Sequence, residues 1–179
     1  INKMKKKIIL KVSEGLGNQL FMYANAYSLK RKYELDLFLD IHSGYNNNKA
    51  IYDYALDNFN ITAKYAPDKY TFASSYRKIL KRFSFFLDNF RKKKKFIFEK
   101  KNTDKTTSYS PINIEKTDNF FFLDGNFESE KYFIDYKDDL LNELSFKNPK
   151  QFNDNKFLKL IKTKNVVAIC VRQHRYSKE

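Results

Sequence analysis

Two hydrophobic periods alternate at the start of this chain. Lys7-Ile8-Ile9-Leu10-Lys11-Val12 is a short apolar run with the composition of a buried strand. Behind it, Leu20, Phe21, Tyr23, Ala24, Tyr27, Ser28 and Arg31 recur at helical spacing. Leu35-Asp36-Leu37-Phe38-Leu39-Asp40 returns to a strand pattern and runs into the loop Ser43-Gly44-Tyr45-Asn46-Asn47-Asn48. A strand–helix–strand order at the outset predicts an α/β fold, a mostly parallel sheet flanked by helices.

Further along, Tyr54, Leu56, Phe59 and Ile61 suggest a short element closing near Pro67. Tyr76 to Phe90 places Ile79, Leu80, Phe83, Phe86, Leu87 and Phe90 on one helical face, with Lys78, Lys81, Arg82 and Arg91 beside it and Lys92-Lys93-Lys94-Lys95 behind. Three roles fit that stretch. The first is a core helix with a solvated basic back, the ordinary fate of an amphipathic helix. The second is an interfacial helix lying on anionic lipid. The third is nucleic-acid contact, which no recognised binding motif supports. Residues 102–119 are polar and read as a loop, and Phe120-Phe121-Phe122-Leu123 reads as a buried strand ending at the turn Asp124-Gly125-Asn126. Ser129 to Leu144 spaces Tyr132, Phe133, Tyr136, Leu140, Leu141 and Leu144 for one helix, which Asn148-Pro149 stops. Phe157, Leu158 and Ile161 suggest another short helix, and Val166 to Val171 a last strand.

Charge narrows the partners. The chain of 179 residues carries a formal net charge of +14, which favours nucleic acid, a membrane surface or phosphorylated substrates. Residues 77–101 hold eleven Lys/Arg against only Asp88 and Glu99. Phe and Tyr are abundant and Trp is absent, so the composition is not that of a disordered chain. Cys170 is the one cysteine, which excludes an internal disulfide and fits a reducing, cytoplasmic compartment. The apolar run after Met4-Lys5-Lys6-Lys7 is too short for a signal peptide or a membrane span.

Candidate chemistry concentrates in Gly15-Leu16-Gly17-Asn18-Gln19-Leu20-Phe21, between the first strand and the first helix. A strand turning through glycines into a helix aims backbone N–H groups and the helix dipole at one spot, a general way to hold a phosphate. Glycine there permits positive φ and close approach of a ligand. The same pattern also serves a sheet that merely needs a tight turn. No Lys-Ser/Thr pair follows, so this is not a Walker loop, and the third glycine of a dinucleotide fingerprint is missing.

Three blocks, in order, resemble the bacterial α-1,2-fucosyltransferases of glycosyltransferase family 11. The first, Gly15-Leu16-Gly17-Asn18-Gln19-Leu20-Phe21-Met22-Tyr23-Ala24, is close to that family's opening motif. The second, Leu123-Asp124-Gly125-Asn126-Phe127-Glu128-Ser129-Glu130-Lys131-Tyr132-Phe133, is similar to the family's Gly-Tyr-Phe/Trp-Gln-Ser-x-Lys-Tyr-Phe, with Asn126 in place of Tyr and Glu128 in place of Gln. The third, Val167 to Tyr176, stands where the family has His-x-Arg-Arg-Gly-Asp-Tyr and keeps only Arg172 and Tyr176.

The resemblance implies a GT-B architecture of two Rossmann-like halves around a cleft, with GDP-fucose mainly on the C-terminal half. Residues 1–165 would form the N-terminal, acceptor-side domain and 166–179 the first strand of the donor half, a fragment not expected to be active alone. The implied reaction is inverting transfer of fucose to a galactose-type hydroxyl of a bacterial surface glycan, with no metal and no cofactor. Arg172, at a strand's carboxyl end, is the expected partner of the donor diphosphate. Gly15, Gly17, Asn18 and Gln19 would line the site, Asn18 alternatively capping the helix. Arg175 is a possible second cation, and His174 and Glu128 are possible bases. Cys170 is expected to pack in the sheet. Residues 77–101 would hold the enzyme at the inner membrane's anionic face, where lipid-linked acceptors are presented. A truncated or degenerate relative that binds glycan or membrane without catalysis, and a basic nucleic-acid-binding module, are the alternatives.

Overall fold

The computed structural model describes residues 5–45, 52–99, 108–152 and 156–167. Five strands, β1 (Lys7–Lys11), β2 (Asp36–Asp40), β3 (Lys64–Tyr65), β4 (Lys94–Phe98) and β5 (Thr117–Asp124), form one sheet ordered β3-β2-β1-β5-β4. Every neighbouring pair is parallel. Helix α1 (Leu16–Tyr33) joins β1 to β2, and α2 (Ser75–Asp88) lies between β3 and β4. Helix α3 (Lys137–Glu143) follows β5, and α4 (Lys156–Thr163) closes the described chain. The α/β class expected from the first forty residues is the one found. The chain divides into two compact units, Ile1–Ser145 and Phe146–Glu179. Among the described residues no helix is long and apolar enough to cross a membrane.

Strand β1 is central, and its Ile8, Ile9 and Leu10 are wholly inaccessible, which is why the strand reads as an unbroken apolar run rather than an alternation. Its register sets Ile8 between Leu37 and Phe121, and Leu10 between Leu39 and Leu123. Those six side chains share the main core with Met22, Tyr23, Ala26 and Tyr27 of α1. Helix α1 is buried continuously from Met22 to Leu29, because the turns at 130–136 cover its other side.

The opposite face of the sheet is aromatic. Phe122 lies 4.8 Å from Phe72 and 5.1 Å from Phe96, and Phe85 of α2 meets Phe96 edge-on at 6.0 Å. Apart from Phe85, α2 turns its polar side to this face. Arg77 donates to the Asp68 carbonyl and to Thr71 Oγ1, and Lys81 stands 3.6 Å from Asp124 and over the Phe72 ring. Asp88, 3% exposed, accepts from the Lys95 amide at 2.8 Å and the Phe96 amide at 3.3 Å. The expected core face of this helix is therefore its outer face. Ile79, Phe83, Phe86 and Phe90 are 65%, 63%, 59% and 78% exposed. Asp88 weighs most in this choice, because a buried carboxylate left without its partners would cost more than an exposed ring, and the partly exposed Arg77 and Lys81 add directional bonds on the same side.

The same anchors explain β4, which the lysine run conceals in the sequence. Asp88 accepts from the second and third amides of the strand, Lys94 Nζ donates to the Asp88 carbonyl at the carboxyl end of α2, and Lys95 lies over Phe120 near Asp118. Two of the four lysines are thus strand residues with partners. β5 begins at Thr117 rather than Phe120, inside the stretch expected to be loop. The single helix expected over 129–144 is instead two 3-10 turns, Glu130–Tyr132 and Ile134–Tyr136, followed by the seven residues of α3. Its aromatic residues reach separate partners that one straight helix would not serve. Tyr132 accepts from the Ser110 amide and meets Tyr109 and Phe127, whereas Phe133 packs on Phe21 at 6.0 Å. The segment 54–67 holds a 3-10 turn, Leu56–Asn58, and the two-residue β3. Val166 and Val167 are outside any strand, and residues 168–171 lie outside the described residues.

Glu143 ties α3 to the main core. Its carboxylate, 8% exposed, accepts from Tyr23 Oη at 2.5 Å, Thr62 N at 2.8 Å and Thr62 Oγ1 at 2.6 Å. Burial, then the hydrogen bond and charge of Glu143, hold the Tyr23 phenol protonated far above its ordinary range. Glu143→Ala is expected to lower stability by about 3 kcal/mol, since buried donors lose their acceptor. Glu143→Gln keeps one acceptor oxygen and should cost less, both effects being read from urea unfolding midpoints.

Candidate functional site

A parallel sheet delivers the exits of all its strands to one edge, and the candidate residues gather there. Between β1 and α1 the chain turns at Glu14, whose φ of 64° is the left-handed conformation of this loop. Gly15 is the N-cap with φ −76°, so neither it nor Gly17 serves to supply positive φ. Nor does space demand glycine at either position: a Cβ on Gly15 would make ordinary contact with the Tyr52 ring at 3.4 Å, and a Cβ on Gly17 would meet nothing among the described residues.

Gln19 holds the loop in place. The side chain is fully buried; Nε2 donates to the Glu14 and Asp53 carbonyls, both at 2.8 Å, and Oε1 accepts from the Ala55 amide at 2.9 Å. Expected among the ligand-binding residues, Gln19 is occupied on both ends of its amide by the protein's own backbone. Asn18 is half-buried and sits in the first turn of α1; the cap position belongs to Gly15, so Asn18 is not the cap. No side chain caps this helix and no acid lies in its first turn, which leaves the leading amides of α1 directed outward. Tyr45 covers the loop by donating from Oη to the Glu14 carbonyl at 3.3 Å. Burial, followed by the Glu14 and Asp53 charges, pushes its phenol up to about 12.

Two further turns complete this edge. Asp40, 2% exposed, accepts from the His42 amide at 3.1 Å and the Ser43 amide at 3.0 Å. Gly44 then presses so close to β1 that a Cβ would sit 2.0 Å from the Val12 carbonyl oxygen, a position only glycine can occupy. At the exits of β1 and β5, Lys11 and Lys81 flank Asp124 at 3.0 and 3.6 Å, two cations to one carboxylate among the described residues. Glu99 accepts from the Asn126 and Phe127 amides, at 2.8 and 3.0 Å, and fixes the turn after β5. Glu128 is exposed and bonded to Asn126 Nδ2 at 3.2 Å.

The two motif blocks meet in an apolar cleft of about 400 Å³. Gly17, Leu20, Phe21 and Ala24 form one wall, Phe133 and Leu140 belong to the other, and Glu130 and Lys137 supply its charges. Glu128, expected as a possible base, is not among the residues lining the cleft; Glu130 is. The signal for Glu130 was its place in the second block, two residues on. Lys11 and Lys81 were missed because nothing local in the sequence announces a pairing across strands. A smaller recess of about 90 Å³ is lined by Asn25 and Ser28, whose Nδ2 and Oγ have no partner among the described residues; its size and polarity suit a few ordered waters. Among the described residues no group of three His, Cys, Asp or Glu is placed to hold a metal ion. Cys170, Arg172, His174, Arg175 and Tyr176 lie outside the described residues.

If Gln19 is the brace of this loop, Gln19→Leu, close in volume, should lower stability by about 2–3 kcal/mol by stranding three backbone groups. Limited proteolysis should then cut first near Glu14 or Asp53. An unchanged unfolding midpoint and cleavage pattern would exclude the bracing role. No protein-family model, curated protein or solved structure matches this chain.

Proposed function

We propose that this chain is the Rossmann-like, acceptor-side half of a GT-B glycosyltransferase that moves fucose from GDP-fucose to a galactose-type hydroxyl of a bacterial surface glycan, with inversion. One observation carries the proposal. The first and second motif blocks, far apart in sequence, supply facing walls of one cleft. Supporting it, the uncapped first turn of α1 opens beside that cleft at Gly17.

The chemistry follows from the residues. A pyranose presents C–H faces that pack on rings such as Phe21 and Phe133, while its hydroxyls reach the rim charges Glu130 and Lys137. In the transfer step the acceptor oxygen bonds to the anomeric carbon as the bond to the diphosphate breaks. The transition state has oxocarbenium character, and negative charge collects on the departing diphosphate. Arg172 is the proposed cation for that charge, because its planar fork pairs with two phosphate oxygens and stays protonated. Glu130 is the carboxylate best placed to take the hydroxyl proton.

A second reading rests on the third block, which keeps only Arg172 and Tyr176 of its pattern. On that reading the protein binds glycan without transfer.

The intact protein, given GDP-fucose and a galactose-ended acceptor, is expected to release GDP and form a fucosylated product. Arg172→Ala should lower turnover by about a hundred- to a thousandfold, the usual loss for a charge-stabilising group. Normal turnover in that variant would remove Arg172 from the role. Absent turnover together with absent GDP binding by calorimetry, in a folded protein, would favour the non-catalytic reading.

A further inference from the structure

Helix α2 is inside out relative to an ordinary surface helix, and its anchors forbid the alternative. Arg77, Lys81, Ser84 and Asp88 recur at i, i+4, i+7 and i+11 and face the protein, with Asp88 wholly buried. Rolling the helix to hide its apolar stripe would strip Asp88 from the Lys95 and Phe96 amides and Lys81 from Asp124. The stripe of Tyr76, Ile79, Leu80, Phe83, Phe86 and Phe90 therefore stays outward, each side chain between 45% and 78% exposed. A contiguous outward stripe of large apolar side chains is the mark of a surface that meets a partner.

Charge identifies the occupant. Lys78 and Arg82 are exposed along one border of the stripe, and Lys92 and Lys93 are exposed just past its end. Asp88 is the one acid from Ser75 to Lys95, and it points inward against the strand, with Arg91 3.9 Å away. The outward half of the helix thus offers bulky apolar side chains, cations at the margin and no carboxylate. That combination matches the interface of an anionic bilayer, where rings enter the acyl boundary and lysines meet the headgroups. An acidic protein would satisfy the cations but does not require the length of apolar stripe. A second copy of this chain would bring like charges together along the same border.

We propose that α2 docks this protein on anionic membrane surfaces, lying in the interface with Ile79, Phe83, Phe86 and Phe90 inserted and Lys78, Arg82, Lys92 and Lys93 on the headgroups. The cation count alone suggests attraction to anions; the outward apolar stripe turns attraction into insertion. This docking stands apart from the transferase proposal and is tested without any sugar nucleotide.

The chain contains no tryptophan, so Phe86→Trp creates a single reporter at an exposed position. With vesicles of phosphatidylcholine and phosphatidylglycerol its emission should shift to the blue and be quenched by bromine-labelled acyl chains. Phosphatidylcholine vesicles alone should produce little of either. Phe83→Ser with Phe86→Ser, both at outward positions and hence compatible with the fold, should lower co-sedimentation with the anionic vesicles about tenfold or more. Lys78→Glu with Arg82→Glu should abolish the preference for phosphatidylglycerol. Equal vesicle binding by the double serine variant, or an indole reporter that stays water-exposed on bound protein, would overturn insertion. So would a lipid-free dimer in analytical ultracentrifugation that the double serine variant loses, since the face would then belong to a second copy.

Discussion

Parallel pairing of β1 with both β2 and β5 is the constraint on which the rest depends. A parallel pair cannot be closed by a hairpin, so each neighbour of β1 is reached by a crossover that covers a face of the sheet. Burial on both faces follows and leaves Ile8, Ile9 and Leu10 without contact with water. The same geometry sends the chain out of β1, β2 and β5 at a single edge. Glu14, Asp40 and Asp124 come together there through topology and not through sequence proximity.

The two faces of the sheet are held in different ways. Toward α1 the contact is apolar and continuous, and area removed from water supplies the stabilisation. Toward α2 it is a layer of aromatic rings crossed by directional bonds from Arg77, Lys81 and Asp88. Directional bonds set the roll of a helix more tightly than area does. They hold α2 with its own apolar stripe outward, and Asp88 in addition starts the edge strand β4. One buried carboxylate thereby links the surface chemistry of the protein to the order of its sheet.

The candidate site divides along similar lines. Gln19, Asp40 and Glu99 spend their polar atoms on backbone partners and so shape the loops. Gly17, Phe21, Glu130, Phe133 and Lys137 are left facing the cleft. The motif Gly15 to Phe21 therefore mixes two kinds of residue: Gln19 makes the loop rigid, whereas Gly17 and Phe21 are presented by it.

Local patterning was enough to read the opening strand–helix–strand unit, α2 as a helix, the turn at Asp124-Gly125-Asn126 and the short helix near Ile161, because periodicity and turn chemistry are properties of neighbouring residues. It marked the glycine loop as candidate chemistry for the same reason, whereas the second block stood out only by its resemblance to a family motif. It did not reveal β4, since a lysine-rich strand has no local signature and depends on Asp88, Asp118 and Phe120 from other segments. Nor did it reveal that Tyr132 and Phe133 would be drawn to different partners and break the helix expected there. The outward face of α2 was undecidable from its own residues: an amphipathic pattern states that two faces differ, not which is buried. That choice was made by the tertiary structure, where Lys81 and Asp88 found partners on the sheet and Arg77 on the turn at Asp68–Thr71, while the apolar stripe stayed exposed among the described residues.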